Sequence, residues 1–189
     1  MGKINGAIYV KYILSRYGPL PQKKLQKLVY LTEFEYVKKH GERLSDLSYK
    51  HYYYGPYSED IPKIEDLDEN IMVGERQEGG YIIKESEYIN QDEEIDIPKK
   101  ISNEIDSIIK KYSDKNGKEL EVLADKTEPF LEAKNLNDKI NLDDFAWYYK
   151  TINSEEFLKQ IEKIDKDNSK NGVYGKHLIK DNSELEHLF

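Results

Sequence analysis

The stretch from Pro21 to Ile61, PQKKLQKLVYLTEFEYVKKHGERLSDLSYKHYYYGPYSEDI, constrains the fold more than any other part of the chain. Leu25, Leu28, Val29, Thr32 and Tyr36 recur at three- and four-residue spacing, which lays an apolar stripe along one side of a helix. Pro21 suits the first helical turn, because the amide hydrogen it lacks would have no partner there. His40 and Gly41 suit the far end, where glycine takes the left-handed conformation of a helix stop. Ser48 to Tyr54 follows, dense in tyrosine and closed by Gly55-Pro56. Aromatic residues favour extended backbone, and Gly-Pro ends it in a turn. Beyond that corner Ser58 can cap a short acidic helix with Ile61 on its apolar side, and Pro62 marks a break or a second start.

The rest of the chain arranges itself around this stretch. Ile4 to Arg16 reads as a first helix, with Ile4, Ala7, Ile8, Tyr12 and Ile13 on one face, joined to the long helix by Gly18-Pro19-Leu20-Pro21. Ile71-Met72-Val73 and Tyr81-Ile82-Ile83 flank a Gly74–Gly80 segment and read as a hairpin with a mobile tip. Glu85 to Asp96 is an acidic connection. Pro98 opens a second long helix striped by Ile101, Ile105, Ile108, Ile109 and Tyr112. Asn116-Gly117 breaks it, Leu120, Leu123 and Ala124 begin the next, and Pro129 ends that one. Asn141 caps a helix carrying Leu142, Phe145, Tyr149 and the lone indole, Trp147. A last helix starts at Asn153 or Ser154 and carries Phe157, Leu158, Ile161 and Ile164. The expected class is α+β and predominantly helical. It is a multi-helix domain with a small β-strand and hairpin element and a winged-helix-like order in its N-terminal half. Residues 1–164 form the expected single domain. Residues 165–189 form a polar C-terminal tail, either flexible or folding onto a partner.

Charge bears on partners. The formal net charge is −8 and the pI about 5.2, which opposes nonspecific nucleic-acid binding, since that affinity comes mainly from lysine and arginine neutralising phosphates. In a winged-helix order the third helix would enter the major groove. Here that segment, Glu59 to Asn70, carries Glu59, Asp60, Glu65, Asp66, Asp68 and Glu69 against Lys63 alone, and would repel phosphates. No apolar run approaches the ~20 residues needed to span a bilayer, and the N-terminus lacks a signal-peptide pattern. With no cysteine, disulfides and thiolate metal sites are excluded, and the chain fits a cytoplasmic protein.

The residues offer no recognisable catalytic constellation. His40, His51, His177 and His187 form no ligand pair. There is no phosphate-binding loop, dinucleotide fingerprint or nucleophile elbow. No enzyme activity, cofactor or metal is therefore expected. Sixteen tyrosines either make a surface for protein recognition, because tyrosine supplies large contact area with little entropy to lose, or mostly pack in the core with their hydroxyls at its edge, the commoner place for any single tyrosine. Lys23, Lys24 and Lys27 lie in the first turns of the long helix, where the dipole would prefer acids. They form either a basic patch for an acidic partner or an ordinary solvated face.

KKLQKLVYL followed by YYYGPYSEDI, and farther on Gly117 to Phe130 with its Glu-Pro-Phe ending, resembles the Panacea-domain family, the SocA-like, phage-associated antitoxins. A YwgA-like prokaryotic family shares the Gly-Pro-Tyr-Ser corner and is the second resemblance. The likeness covers roughly Ala7 to Tyr149. It implies an antitoxin of a toxin–antitoxin system that neutralises a cognate toxin, encoded next door, by direct protein–protein binding. The alternatives are a winged-helix-like transcription regulator and an adaptor presenting a partner for proteolysis. The family has aromatics at the positions of Tyr52 and Tyr54 and often a polar residue at that of Tyr53. This implies Tyr52 and Tyr54 in the core, and Tyr53 outside beside Gly55-Pro56, with Tyr57 an exposed neighbour. The partner-binding candidates are therefore Tyr53, Tyr57, Lys23, Lys24 and Lys27.

Overall fold

A computed structural model describes residues 2–78, 81–90 and 94–170. Its pillar is helix α2, Gln22–His40, with α1, Gly6–Tyr17, packed before it. From Leu25 to Phe34 every residue of α2 is buried, including Gln26, Lys27, Thr32 and Glu33. A helix enclosed on all sides lies at the centre of a fold, so the one-sided stripe read from the sequence understates its role. Pro21 caps this helix from the two-residue strand β1, Leu20–Pro21, rather than sitting inside its first turn. Gly41 stops the helix at φ 62°, against the backbone of Lys150, where a side chain would have no room.

Helix α1 is rotated from the sequence expectation. Gly6, Tyr9, Val10, Ile13 and Leu14 face the core. Ile4 precedes the helix and bridges to Ser45. Tyr12 stays at the edge and donates its hydroxyl to Asp106 Oδ1 at 3.0 Å. Apolar residues occupy both sides of this segment, and α1 settles on the side that offers a continuous seam at three- and four-residue steps.

Two small antiparallel sheets flank the helices. Strands β2, Tyr49–Tyr52, and β3, Gly55–Tyr57, form a tight hairpin, and β6, Lys139–Ile140, pairs with the other edge of β2. Helix α3, Asp60–Leu67, follows the hairpin. Ser58 meets the amide of Asp60 at 3.2 Å, and Pro62 sits in the first turn without breaking the helix. Then come β4, Ile71–Glu78, and β5, Tyr81–Tyr88. These strands are longer than expected. Gly74 to Glu78 pairs with Tyr81 to Glu85 instead of forming a mobile tip, and β1 completes the order β1-β5-β4. With α1, α2 and α3 this sheet reproduces the winged-helix order, and the β2–β3 hairpin is inserted between its second and third helices.

The C-terminal half wraps α2 with α4, Lys99–Ile109, α5, Gly117–Ala124, and α7, Leu142–Ile152, the short α6, Glu128–Glu132, lying between the last two. Asn116 and Glu119 close a reciprocal capping box at the start of α5. Pro129 opens α6 rather than ending a helix, because a first-turn proline leaves no hydrogen bond unmade. Helix α8, Glu155–Lys170, continues past Ile164; the tail from residue 171 lies outside the described residues. The molecule is thus an α+β, predominantly helical domain.

Candidate functional site

The Gly-Pro corner is held from below by two consecutive side chains of α2. Gln26 donates its Nε2 to Ser58 O and accepts from Ser58 N at Oε1, both at 2.9 Å, and so substitutes for a neighbouring strand. Lys27 is only 3% exposed and donates Nζ to Pro56 O at 2.5 Å. Leu25 and Leu28, on either side of this pair, are buried in the core. The Leu-Gln-Lys-Leu run is therefore a clamp whose polar centre grips the corner and whose leucines anchor it.

Asp125, just after α5, approaches the corner from the other side. Gly55 has φ 84°, and a Cβ there would collide with Asp125 Oδ1. That oxygen is buried and accepts no hydrogen bond among the described residues. Burial and the neighbouring Glu121 raise the Asp125 carboxyl above its usual range, while Lys27 opposes them. Burial pulls the Lys27 ammonium down to about 8, against the pull of Asp125 and Glu121.

The family model for the antitoxin SocA-like, Panacea domain matches residues 25–130, more than half of the chain. The chain belongs to this family. Its matched span begins at Leu25 of the clamp and ends at Phe130, one residue beyond the proline of α6. Phe130 stacks on His51 of β2 with ring centroids 4.3 Å apart. The family span thus opens and closes at the same hairpin. No curated protein and no solved structure gives a significant match.

Above the clamp, the aromatic segment distributes itself differently from the expected alternation. Tyr49 is buried, with its hydroxyl on Glu33 Oε2 at 2.9 Å. Tyr52 is half-buried against Tyr57. Tyr53 is exposed as expected, at 72%, but Tyr54 is exposed too, at 63%. Tyr52 pairs with Gly55, so Tyr53 and Tyr54 are the two turn residues of the hairpin, and strand alternation does not extend to them. Placing Tyr54 in the core is corrected on that ground, and so is full burial of Tyr52. Tyr57, expected to be exposed, is half-buried.

The three lysines part company as well. Lys27 is under the corner and is removed from any surface patch. Lys24, half-buried, donates to Ser113 O at 3.0 Å. Lys23 is exposed, pairs with Glu121 and lies over the Tyr54 ring at 4.8 Å from its centroid. What reaches the surface together is Tyr53, Tyr54 and Lys23, with Tyr52 and Tyr57 beside them. Sequence reasoning missed Tyr54 and Asp125. Only the two-residue spacing between Tyr52 and Gly55 could have signalled the turn. The acids around α3 are also partly spent inside the molecule. Glu65 binds Ser86 and Gln22, Glu59 pairs with Lys50, and Asp68 pairs with Lys11 at 2.5 Å. Among the described residues no group of three or more acidic or histidine side chains is placed to hold a metal ion, and no helix is long and apolar enough to cross a membrane.

Proposed function

We propose that this protein is the antitoxin of a toxin–antitoxin pair and neutralises its cognate toxin by direct contact, in the cytoplasm and without catalysis of its own. The contact surface is the Tyr53-Tyr54 turn, flanked by Lys23 and Tyr57. The carrying observation is the exposure of two adjacent tyrosines on a turn whose base is clamped by Gln26 and Lys27. Large rings on a fixed backbone lose little entropy on docking, and interface energy concentrates in such residues. The family name supports an antitoxin, and the net charge of −8 favours a basic partner.

The winged-helix order favours a second reading, a transcription regulator. The acidic α3 weighs against it, because binding through that helix would set carboxylates against phosphates. Co-expression with the product of the neighbouring gene tests the first reading. The neighbour is expected to arrest growth alone, to be relieved by this protein, and to co-purify with it. The Tyr53→Ala/Tyr54→Ala variant should remain folded and bind at least ~10-fold more weakly. A neighbour that is harmless, or that stays toxic beside this protein, overturns the proposal. DNA binding that weakens steeply with salt would transfer support to the regulator.

A further inference from the structure

We infer that the groove between α6 and α7 receives a lysine or arginine side chain carried on a basic peptide segment of a protein partner. The groove follows from how the two helices are anchored. Pro129 and Phe130 bury one side of α6. Glu128 and Glu132, four residues apart, share another side. On α7, Leu142, Ala146 and Tyr149 face the core, which leaves Asp144 and Trp147 exposed and Tyr148 half-buried at the edge of the core. Between these sides lies a cleft of about 560 Å³, with Phe145 and Tyr149 completing its aromatic wall.

The lining selects the charge of the occupant. Three carboxylates and four aromatic rings surround the cleft, and no lysine or arginine lines it among the described residues. An aromatic face carries negative potential and attracts a cation within ~6 Å of its centroid, tryptophan most strongly. The carboxylates add net charge of the same sign. An anion would be repelled, and a neutral apolar ligand would have to desolvate the carboxylates without return. A lysine or arginine meets both demands, since its methylene stem packs on rings while its head reaches the acids.

The shape selects a peptide over a metabolite. A volume within the ~300–1,000 Å³ of ligand clefts would suit a small molecule only if the walls enclosed it. Trp147 is 71% exposed, so the groove is open along one side and needs a larger body to cover the indole. A side chain entering from an extended or helical segment provides that cover. The inference rests on the proposed function only in taking the occupant to be a protein.

Trp147 is the lone tryptophan of the chain, so its fluorescence reports from the groove itself. The full-length protein is titrated with hexalysine, hexaarginine and hexaglutamate at low salt. The two cationic peptides should change the emission saturably and hexaglutamate should not. Glu132→Gln/Asp144→Asn should weaken hexalysine binding by about five- to tenfold. Asp66→Asn/Glu69→Gln, which removes the same charge from exposed positions around α3, should leave it unchanged. Calorimetry should find a comparable loss in Trp147→Leu. All three variants change exposed side chains, so their melting temperatures serve as controls for folding. An emission insensitive to both cationic peptides overturns the assignment. So does an equal loss in the two double variants, which would reduce the binding to general attraction by an acidic protein. Neutralisation of the toxin is scored separately by co-expression, so either reading can fail alone.

Discussion

Glu33 and Lys27 are buried on the same helix, six residues apart, and the fold treats them in opposite ways. Glu33 is completely enclosed and fully supplied. Arg43 Nε donates at 2.5 Å, Ser45 Oγ at 2.6 Å, Ser45 N at 3.3 Å and the Tyr49 hydroxyl at 2.9 Å. Arg43 is completed in turn by Leu47 O at 2.6 Å and Asp143 Oδ2 at 3.1 Å. Lys27 has one carbonyl, Pro56 O, and a nearby acid, Asp125, with one oxygen unsatisfied. The first charge closes a network that ties α2 to the segment before β2. The second leaves a polar remainder under the surface turn. A closed network specifies one arrangement, whereas an open one responds to protons and to what docks above it.

Breaking the closed network should have the largest effect. Glu33→Ala leaves Arg43 without its main partner, and removing one member of a buried ion pair costs ~3–5 kcal/mol. For a chain of this length the melting temperature should fall on the order of 10 °C. Replacing both residues, as Glu33→Met/Arg43→Met, should recover a good part of that loss, because no charge is then stranded. A single variant within 1 °C of the parent would show that the two charges do not differ as described. Next in size is Gly55→Ala. It demands a left-handed φ of a residue with a Cβ and drives that carbon into Asp125 Oδ1, at a cost of ~1–3 kcal/mol by chemical denaturation. Adding Asp125→Ala should restore the steric share and leave the backbone share. Full restoration would mean that the conformation of Gly55 carries no strain.

The open network should declare itself through pH. The Lys27 ammonium is held down to about 8 in the folded chain against an ordinary value of 10.5. Between those values the unfolded chain binds the proton and the folded chain does not, so stability rises with pH, by at most ~1.4 kcal/mol per unit for one proton. Buried tyrosines such as Tyr30 and Tyr112, pushed up by burial, act in the opposite sense above pH 10, where the unfolded chain ionises first. The clean interval is therefore pH 8 to 9.5. Denaturation curves there should give the parent a gain of ~1–2 kcal/mol, and Lys27→Met should flatten it. An equal slope in both proteins would assign the effect to other groups.

These contrasts also explain what could be read in advance. Helix α2 and its stop at Gly41 were legible because spacing and cap chemistry are local, and so were the winged-helix order and the break at Asn116-Gly117. The family motif was legible as a pattern, yet its mechanism was not. Lys27 looks like any surface lysine until Gln26 draws Ser58, and with it Pro56, over the top of it. Its acid, Asp125, arrives from the far half of the chain. The face of α1 was misread because apolar residues lie on both sides of it and its packing against α3 and β5, which lie farther along the chain, decides between them. The groove of α6 and α7 was invisible for the same reason, although Trp147 stood out as the single indole.

The smallest predicted effect tests the corrected facing of the aromatic segment. Had alternation run through Tyr54, its removal would open a core cavity and cost ~3–5 kcal/mol. In the turn, Tyr54 loses mainly its contact with the Lys23 ammonium, 4.8 Å from the ring centroid. An exposed contact of that kind contributes ~0.5–1 kcal/mol. Tyr53 packs edge-on against Tyr52 with centroids 5.2 Å apart and is the more exposed of the two, so Tyr53→Ala should stay within ~0.5 kcal/mol of the parent. Lys23→Met, which also breaks the pair with Glu121, should cost more than Tyr54→Ala. The double variant Lys23→Met/Tyr54→Ala should cost little more than Lys23→Met alone, because the contact between the two side chains is already lost in each single variant. Thermal melts of the four variants resolve this. A steep loss in Tyr54→Ala with additive behaviour in the double variant would return Tyr54 to the core and leave Tyr53 as the only tyrosine the turn presents.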